Sequence, residues 1–238
     1  MSEPTLQGIC NNNVNNMPSN DLYESFNHFM FSTDIKVMGK LLHRFKFFEK
    51  TFDLPGDIVE LGVFKGSGVA TWLKFLKIFE ANSNKKVIGF DLFDSLNTVI
   101  GNYENGDTMK VVYEKVNSDE LLLEYVDSRL SNINKDKSKY LLVKGDVCVT
   151  TKTFVNENPG FRISIIYVDL DLEEPVYYSL MNLWERLLPG GYIVFDEYEY
   201  HKFSESNGVD RFLLEKKIDY NIISTHWMAP TSYMIKKL

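Results

Sequence analysis

Two carboxylate groups, Asp169-Leu-Asp171 and Asp196-Glu197, each stand directly after an apolar run, FRISIIYV before the first and GGYIVF before the second. Short apolar runs bounded by polar residues or glycine read as strands covered on both faces. Twenty-seven positions separate Asp169 from Asp196. That leaves room for one helix, Glu173 to Leu188, closed by Pro189-Gly190-Gly191, between two parallel strands. The resulting βαβ unit brings both carboxylate groups to the same carboxyl edge of a sheet, where open α/β sheets bind their ligands. Neighbouring strands lie roughly 5 Å apart, so four acidic side chains can converge there. Such a cluster is unfavourable unless some groups stay protonated or a cation neutralises them.

The rest of the chain extends this pattern. Residues 1–20 are Asn-rich and weakly hydrophobic, and they read as a flexible leader. From Asp21 to Phe52 the apolar spacing is helical. Leu22, Phe26, Phe29 and Met30 share one face, Val37, Leu41, Leu42, Phe45 and Phe48 share another, and core packing is the simplest role for both. DIVEL (57–61) is a first strand, Ser67 to Glu80 a helix, and KVIGF, ending at Asp91, a second strand. Residues 97–117 are polar and irregular, long for a passive connection and suited to a mobile active-site loop. A helix capped by Asn117 or Ser118 follows, reaching about Leu130. Tyr140–Lys144 is a third strand ending at Gly145-Asp146, and the fourth and fifth precede the acidic groups. Residues 208–217 read as a helix. NIISTHW and TSYMIKK then form a terminal antiparallel hairpin. The fold expected is a doubly wound, Rossmann-like α/β domain over residues 21–238, with a seven-stranded mixed sheet and an N-terminal helical cap.

A net charge of -7 argues against a general nucleic-acid or anionic-membrane surface. No stretch approaches the ~20 apolar residues of a membrane span. With only two cysteines, Cys10 and Cys148, there is no disulfide framework, and Cys148 reads as a small core residue. A cytoplasmic location is the expectation, and the oligomeric state, homo-oligomer included, stays open.

The first strand-to-helix turn reads Glu60-Leu-Gly62-Val-Phe-Lys65-Gly66-Ser67-Gly68. The glycine order departs from G-x-G-x-x-G, and Lys65-Gly66-Ser67 is not the Gly-Lys-Ser/Thr ending of a phosphate-binding loop. What remains is a glycine turn that a ligand can approach closely, with an acid, Glu60, inside the strand, where a cationic ligand would suit it. Asp91 closes the second strand, the position from which an acid accepts from both ribose hydroxyls. Asp146 closes the third strand, placed to meet an adenine amino group. Either could equally cap a helix, but acids at successive strand ends fit adenosine carrying a positive sulfur.

PGDIVELGVFKGSG, GFDLFDSL, KGDV, YVDLDLEEPVYYSL and LLPGGYIVFDEY together resemble the macrocin O-methyltransferase family, over about residues 55–215. These are class I S-adenosylmethionine-dependent enzymes that methylate sugar hydroxyls of natural products. The resemblance implies that Glu60, Gly62, Gly66, Ser67, Asp91 and Asp146 surround S-adenosylmethionine. It also implies that Asp169 with the pair Asp196 and Glu197 holds Mg²⁺, and that Asp171 matches the proposed general base. The chain departs from the family in having Asp196-Glu197 for Asp-Asp, and Asp169-Leu-Asp171 for Asp-Gly-Asp.

Hard carboxylate oxygens select Mg²⁺, Mn²⁺ or Ca²⁺ over soft metals. His28, His43, His201 and His226 lack the clustered spacing of a zinc site. The reading is a Mg²⁺- or Mn²⁺-dependent O-methyltransferase for a small hydroxylated acceptor such as a sugar. A catechol-like phenol is the near alternative; a nucleotide-linked oxidoreductase and a catalytically silent ligand-binding protein are the distant ones. Tyr198, Tyr200 and His201 are secondary candidates for the acceptor pocket.

Overall fold

The computed structural model describes residues 20–94, 103, 105–113, 116–228 and 230–237. The expected leader and parts of the 97–117 connection lie outside the described residues. The chain divides into two compact units, one ending at Leu42 and the other running from His43 to Leu238. The first carries helix α1 (Asn20–Met30) and the start of α2 (Lys36–Lys50).

The second unit holds the sheet. Its strands are β1 (Asp57–Leu61), β2 (Val87–Asp91), β3 (Tyr140–Lys144), β4 (Ile163–Val168), β5 (Leu187–Phe195), β6 (Ile223–Ser224) and β7 (Ser232–Ile235). Among the described residues they form one seven-stranded sheet in the order β3-β2-β1-β4-β5-β7-β6. Strands β1 to β5 pair in parallel, while β7 runs antiparallel to both β5 and β6. This is the mixed, doubly wound sheet expected from the alternation of apolar runs. Helices α3 (Ser67–Phe79), α4 (Lys110–Tyr113), α5 (Leu123–Ser131), α6 (Val147–Glu157), α7 (Glu173–Leu183) and α8 (Glu205–Lys216) make the connections.

All six residues of β4 are buried, as a parallel strand covered on both faces requires. Strand alternation sorts them. Ile166 and Val168 join Val176 and Leu180 of α7 and Phe212 of α8 on one face. Ile165 and Tyr167 join Phe47 and Phe48 of α2 and Trp72 of α3 on the other. Fully burying one such aliphatic or aromatic side chain contributes about 1.5–3 kcal/mol, so the two layers fix the sheet between them.

The register places the chemistry. Leu61 pairs with Val168, and Val168 with Phe195. The ladder runs one step further, with Asp169 N–H donating to Leu61 O at 2.8 Å and Asp196 N–H to Val168 O at 3.0 Å. Asp169 and Asp196 are therefore level on adjacent strand ends. Beside them Gly62 turns with φ 88°, and a Cβ there would lie 1.8 Å from the Asp169 carbonyl oxygen. Only glycine lets the first turn pass so close to the acidic edge.

Several expectations need correction. The helix after Asp171 stops at Leu183, and one 3₁₀ turn, Trp184–Arg186, leads directly into β5. Pro189-Gly190-Gly191 lies inside that strand, where a register shift between Ile163 and Ile165 accommodates it. Helix α1 buries none of its residues, and Leu22, Phe26 and Met30 are about half exposed or more. Helix α2 leaves Leu41 and Leu42 outside and buries His43, Arg44, Phe47 and Phe48. Core packing therefore accounts for Phe45 and Phe48 but not for Leu22, Phe26, Met30, Val37, Leu41 or Leu42. Cys148 is only half-buried, on the first turn of α6.

Candidate active site

The two acidic segments meet at the carboxyl edge of β4 and β5. β4 ends at Val168, so simple strand alternation does not carry on to Asp171. The chain instead makes a tight turn, with Leu172 N–H donating to Leu170 O at 2.7 Å, and Asp171 sits in the left-handed region at φ 64°. A non-glycine residue adopts that conformation only where its surroundings hold it. Here Ser204 supplies the hold. Its N–H donates to Asp171 O at 3.0 Å, and its hydroxyl oxygen accepts from Glu173 N–H at 3.0 Å. Asp171 is buried, whereas Asp169 is only partly so.

A polar network lies beneath this edge. Glu60 and Tyr167 pair across β1 and β4 and project to the α2–α3 face. The Tyr167 hydroxyl donates to Asp196 Oδ1 at 2.5 Å and lies 3.5 Å from His43 Nδ1. His43 Nε2 stands 3.3 Å from Thr225 Oγ1 and 3.2 Å from Thr231 Oγ1. Arg44 lays its guanidinium over the Tyr167 ring, 4.2 Å from the centroid, and donates to Glu60 Oε1 at 3.2 Å. The other Glu60 oxygen accepts from Trp72 Nε1 at 2.5 Å. Burial works against the Arg44 charge, but Glu60, Tyr167, Asp169 and Asp196 together hold it protonated more firmly than usual. Burial pushes the Glu60 carboxyl above its ordinary range despite Arg44. Both Glu60 oxygens thus have partners within the fold, and its nearest cation is Arg44.

Sequence reasoning missed Glu205, the first residue of α8. It is fully buried, and its Oε1 accepts from Glu197 N–H at 3.0 Å. Its Oε2 has no hydrogen-bond partner. Burial, and after it the charges of Asp171, Asp169 and Asp196, pushes this carboxyl well above the usual range. In the sequence Glu205 stands in a polar stretch, YHKFSESNG, that reads as solvated, and the helix expected over 208–217 begins at Glu205 instead.

The glycine turn has its own support. Asp91 Oδ2 accepts from Val63 N–H at 2.7 Å and Phe64 N–H at 2.9 Å, and Oδ1 accepts from Phe93 N–H at 2.8 Å. Asp91 therefore ties the end of β2 to the turn after β1. Gly66, with φ 86°, precedes α3, and no side chain caps that helix. The first-turn N–H groups at Ser67 and Gly68 are thus left for a negatively charged group. Asp146 caps α6, its Oδ1 accepting from Cys148 N–H at 2.8 Å and from the Tyr103 hydroxyl at 2.7 Å. Helix capping, the plainer role for a strand-end Asp, is what Asp146 performs within the fold.

Part of the 97–117 connection reaches the same edge. Met109 packs with Leu172, and Leu92, Tyr103, Tyr113 and Phe203 surround the pair. This apolar patch includes Leu172 and Phe203, close in the chain to Asp171 and Glu205. His201 is exposed, and the Tyr198 hydroxyl is engaged by Asp210 Oδ1 at 2.7 Å.

The carboxylates of Asp169, Asp171, Asp196 and Glu197 suit a hard divalent ion, and Glu205 Oε2 is buried without a partner. As the side chains lie, no three acidic, histidine or cysteine groups among the described residues stand close enough to share an ion. The site fits such an ion by composition rather than as a finished cage.

The macrocin-O-methyltransferase (TylF) family model matches residues 46–233. A Streptomyces olivaceus protein, 8-demethyl-8-(2,3-dimethoxy-alpha-L-rhamnosyl)-tetracenomycin-C 4'-O-methyltransferase, is 27% identical over 148 residues, covering 61% of this chain and 54% of that protein. The chain thus matches about half the length of this relative. The calicheamicin methyltransferase CalS11 superposes with a TM-score of 0.72 at 20% identity, covering 99% of this chain and 94% of its own. The O-methyltransferase NovP gives 0.70 at 20% identity, covering 84% and 80%. These two share the fold. The chain belongs to the macrocin-O-methyltransferase family.

Proposed function

We propose that this member of the macrocin-O-methyltransferase family is an S-adenosylmethionine-dependent O-methyltransferase whose acceptor is a sugar hydroxyl, on a natural product or a nucleotide-sugar. The observation that carries the reading is the alignment of Asp169 and Asp196 on adjacent strand ends, beside a turn that only glycine permits. The Streptomyces relative, named for a substrate bearing a dimethoxy-rhamnosyl group, supports a sugar acceptor. The catalytic apparatus belongs to the unit His43–Leu238, which carries every residue invoked.

S-adenosylmethionine, when bound, supplies a methyl group on a positive sulfur that leaves as a neutral thioether, so no residue has to protonate a leaving group. Gly62, Gly66 and Ser67 present backbone to the cofactor, and the uncapped start of α3 suits its carboxylate. Asp91 holds that turn in shape and would accept from the ribose hydroxyls. Asp146 would border the adenine end, and Glu60, with Arg44 as its counter-ion, would lie near the turn that meets the cofactor.

Asp171 takes the proton as the acceptor oxygen forms its bond to the methyl carbon and the carbon–sulfur bond breaks. Asp171 is buried, which limits competing water. Asp169, Asp196 and Glu197 would hold Mg²⁺ or Mn²⁺. A divalent ion, when bound, lowers the acceptor's pKa and fixes its position. Orientation carries the largest share, since well-held reactants lower a barrier by up to ~7–11 kcal/mol.

The test is release of S-adenosylhomocysteine from S-adenosylmethionine with vicinal-diol deoxysugar nucleotides and with a catechol, side by side. Turnover confined to the sugar supports the reading. Turnover confined to the catechol replaces the acceptor. Calorimetry showing no binding of S-adenosylhomocysteine would end it.

A further inference from the structure

Among the described residues, Glu205 is the one carboxylate with a fully buried oxygen that nothing in the protein satisfies. Removing a carboxylate from water without a hydrogen bond or counter-charge is among the costliest acts in folding. The placement of Glu205 is nonetheless tightly built. Its Oε1 receives Glu197 N–H, and its chain neighbour Ser204 is clamped to Asp171 O on one side and Glu173 N–H on the other. Residues 204 and 205 therefore bridge the two acidic segments, with Gly208 on the following turn so close to α7 that a Cβ would lie 2.4 Å from Glu173 O. The start of α8 cannot drift outward to hydrate Oε2 without breaking these contacts.

The surroundings restrict what can satisfy that oxygen. Asp171, Asp169 and Asp196 all lie within electrostatic range of Glu205. Protonation, toward which burial and these neighbours push Glu205, would lift the repulsion but leave Oε2 without a partner. A cation answers both needs at once.

We propose that Glu205 is a further carboxylate of the divalent-cation site, whose Oε2 becomes a ligand when the ion binds. It comes from the start of α8, with its Oε1 held against the backbone N–H of Glu197. The inference rests on the metal-dependent reading given above and adds to it a residue from a third segment of the chain. It also gives Glu197 a second task, since the backbone N–H of that residue holds the Glu205 carboxylate in place.

Glu205→Gln tests this in the full chain, because the amide keeps the size and an acceptor for Glu197 N–H. Mn²⁺ affinity is read by electron paramagnetic resonance, independent of turnover, with Asp169→Asn as a benchmark. The expected result is a loss of Mn²⁺ affinity of about 10–100-fold. The metal-free variant should melt no lower than the wild type, while the Mn²⁺-induced rise in Tm shrinks. Glu205→Asp, which keeps the charge but shortens the reach, should fall between the two, and it carries the test if the glutamine variant does not fold. Wild-type Mn²⁺ affinity in Glu205→Gln would overturn the role of Glu205 alone. No Mn²⁺ binding by the wild type would overturn the metal reading itself, and this inference with it.

Discussion

The Tyr167 hydroxyl, in the centre of the sheet, donates to Oδ1 of Asp196 at the end of the neighbouring strand, 2.5 Å away. Burial, and then the negative charge of Asp196, keeps this phenol protonated far above its ordinary range. It is therefore a donor at any pH the protein meets. The bond anchors one carboxylate of the candidate site from beneath, and it links that carboxylate to His43 and the threonines of the terminal hairpin.

Tyr167→Phe should destabilise the protein by about 1–3 kcal/mol, because Asp196 loses a buried donor while the ring still fills its space. Urea denaturation, with an unchanged slope and a lowered midpoint, is the measurement. An unchanged midpoint would mean that Asp196 finds another donor without cost.

Arg44 and Glu60 are both buried, at 3.2 Å. Breaking such a pair from the cation side costs about 3–5 kcal/mol, chiefly through the carboxylate left behind. Arg44→Met should cost that much near neutral pH, and the double variant Arg44→Met/Glu60→Gln should recover most of it. The direction with pH is also fixed. Burial raises the Glu60 carboxyl above its ordinary value of 4.5, and loss of Arg44 raises it further. A raised folded-state pKa means stability that is present below the unfolded value and lost as pH rises through the folded one. The deficit of Arg44→Met should therefore be smallest near pH 4 and widen toward pH 8. A deficit independent of pH would show that Glu60 contributes no charge.

How much of this was legible in the sequence depends on what bounded each run. DIVEL and Tyr140–Lys144 emerge with the limits read for them, because charged or glycine residues flank short apolar runs. Pro189-Gly190-Gly191 misled, because the same residues that end a helix can sit in a strand that shifts register. The positions of Asp169 and Asp196 followed from βαβ spacing alone. Their supports did not. Arg44 and His43 look like solvent-facing residues of an amphipathic helix, and only tertiary packing turns them inward while Leu41 and Leu42 stay out. Glu205 was hidden for the same reason, since a periodicity argument assigns a face but not a counter-ion.

Asp91→Ala should act twice. Three backbone N–H groups, from Val63, Phe64 and Phe93, lose their acceptor, and the glycine turn loosens. We expect S-adenosylhomocysteine affinity to fall by about 1–3 kcal/mol, with a drop in melting temperature even in the absence of ligand. Unchanged affinity by calorimetry would remove Asp91 from the cofactor site and leave it a purely structural clamp.

Asp171→Asn separates a base from a ligand. The amide keeps the size and leaves the backbone bond from Ser204 to Asp171 O undisturbed, but it cannot accept the acceptor's proton. If Asp171 is the general base, kcat should fall by about 10²–10⁴, with Mn²⁺ and S-adenosylhomocysteine affinities nearly intact. Raising the pH should recover part of the lost rate, because an acceptor already ionised needs no base. The left-handed backbone at φ 64° offers an internal control. Asn tolerates that conformation, so Asp171→Asn should fold as the wild type does, whereas Asp171→Val should lose stability as well as rate. Loss of Mn²⁺ binding in Asp171→Asn would make the residue a ligand, and a near-normal kcat would leave activation of the hydroxyl to the other carboxylates.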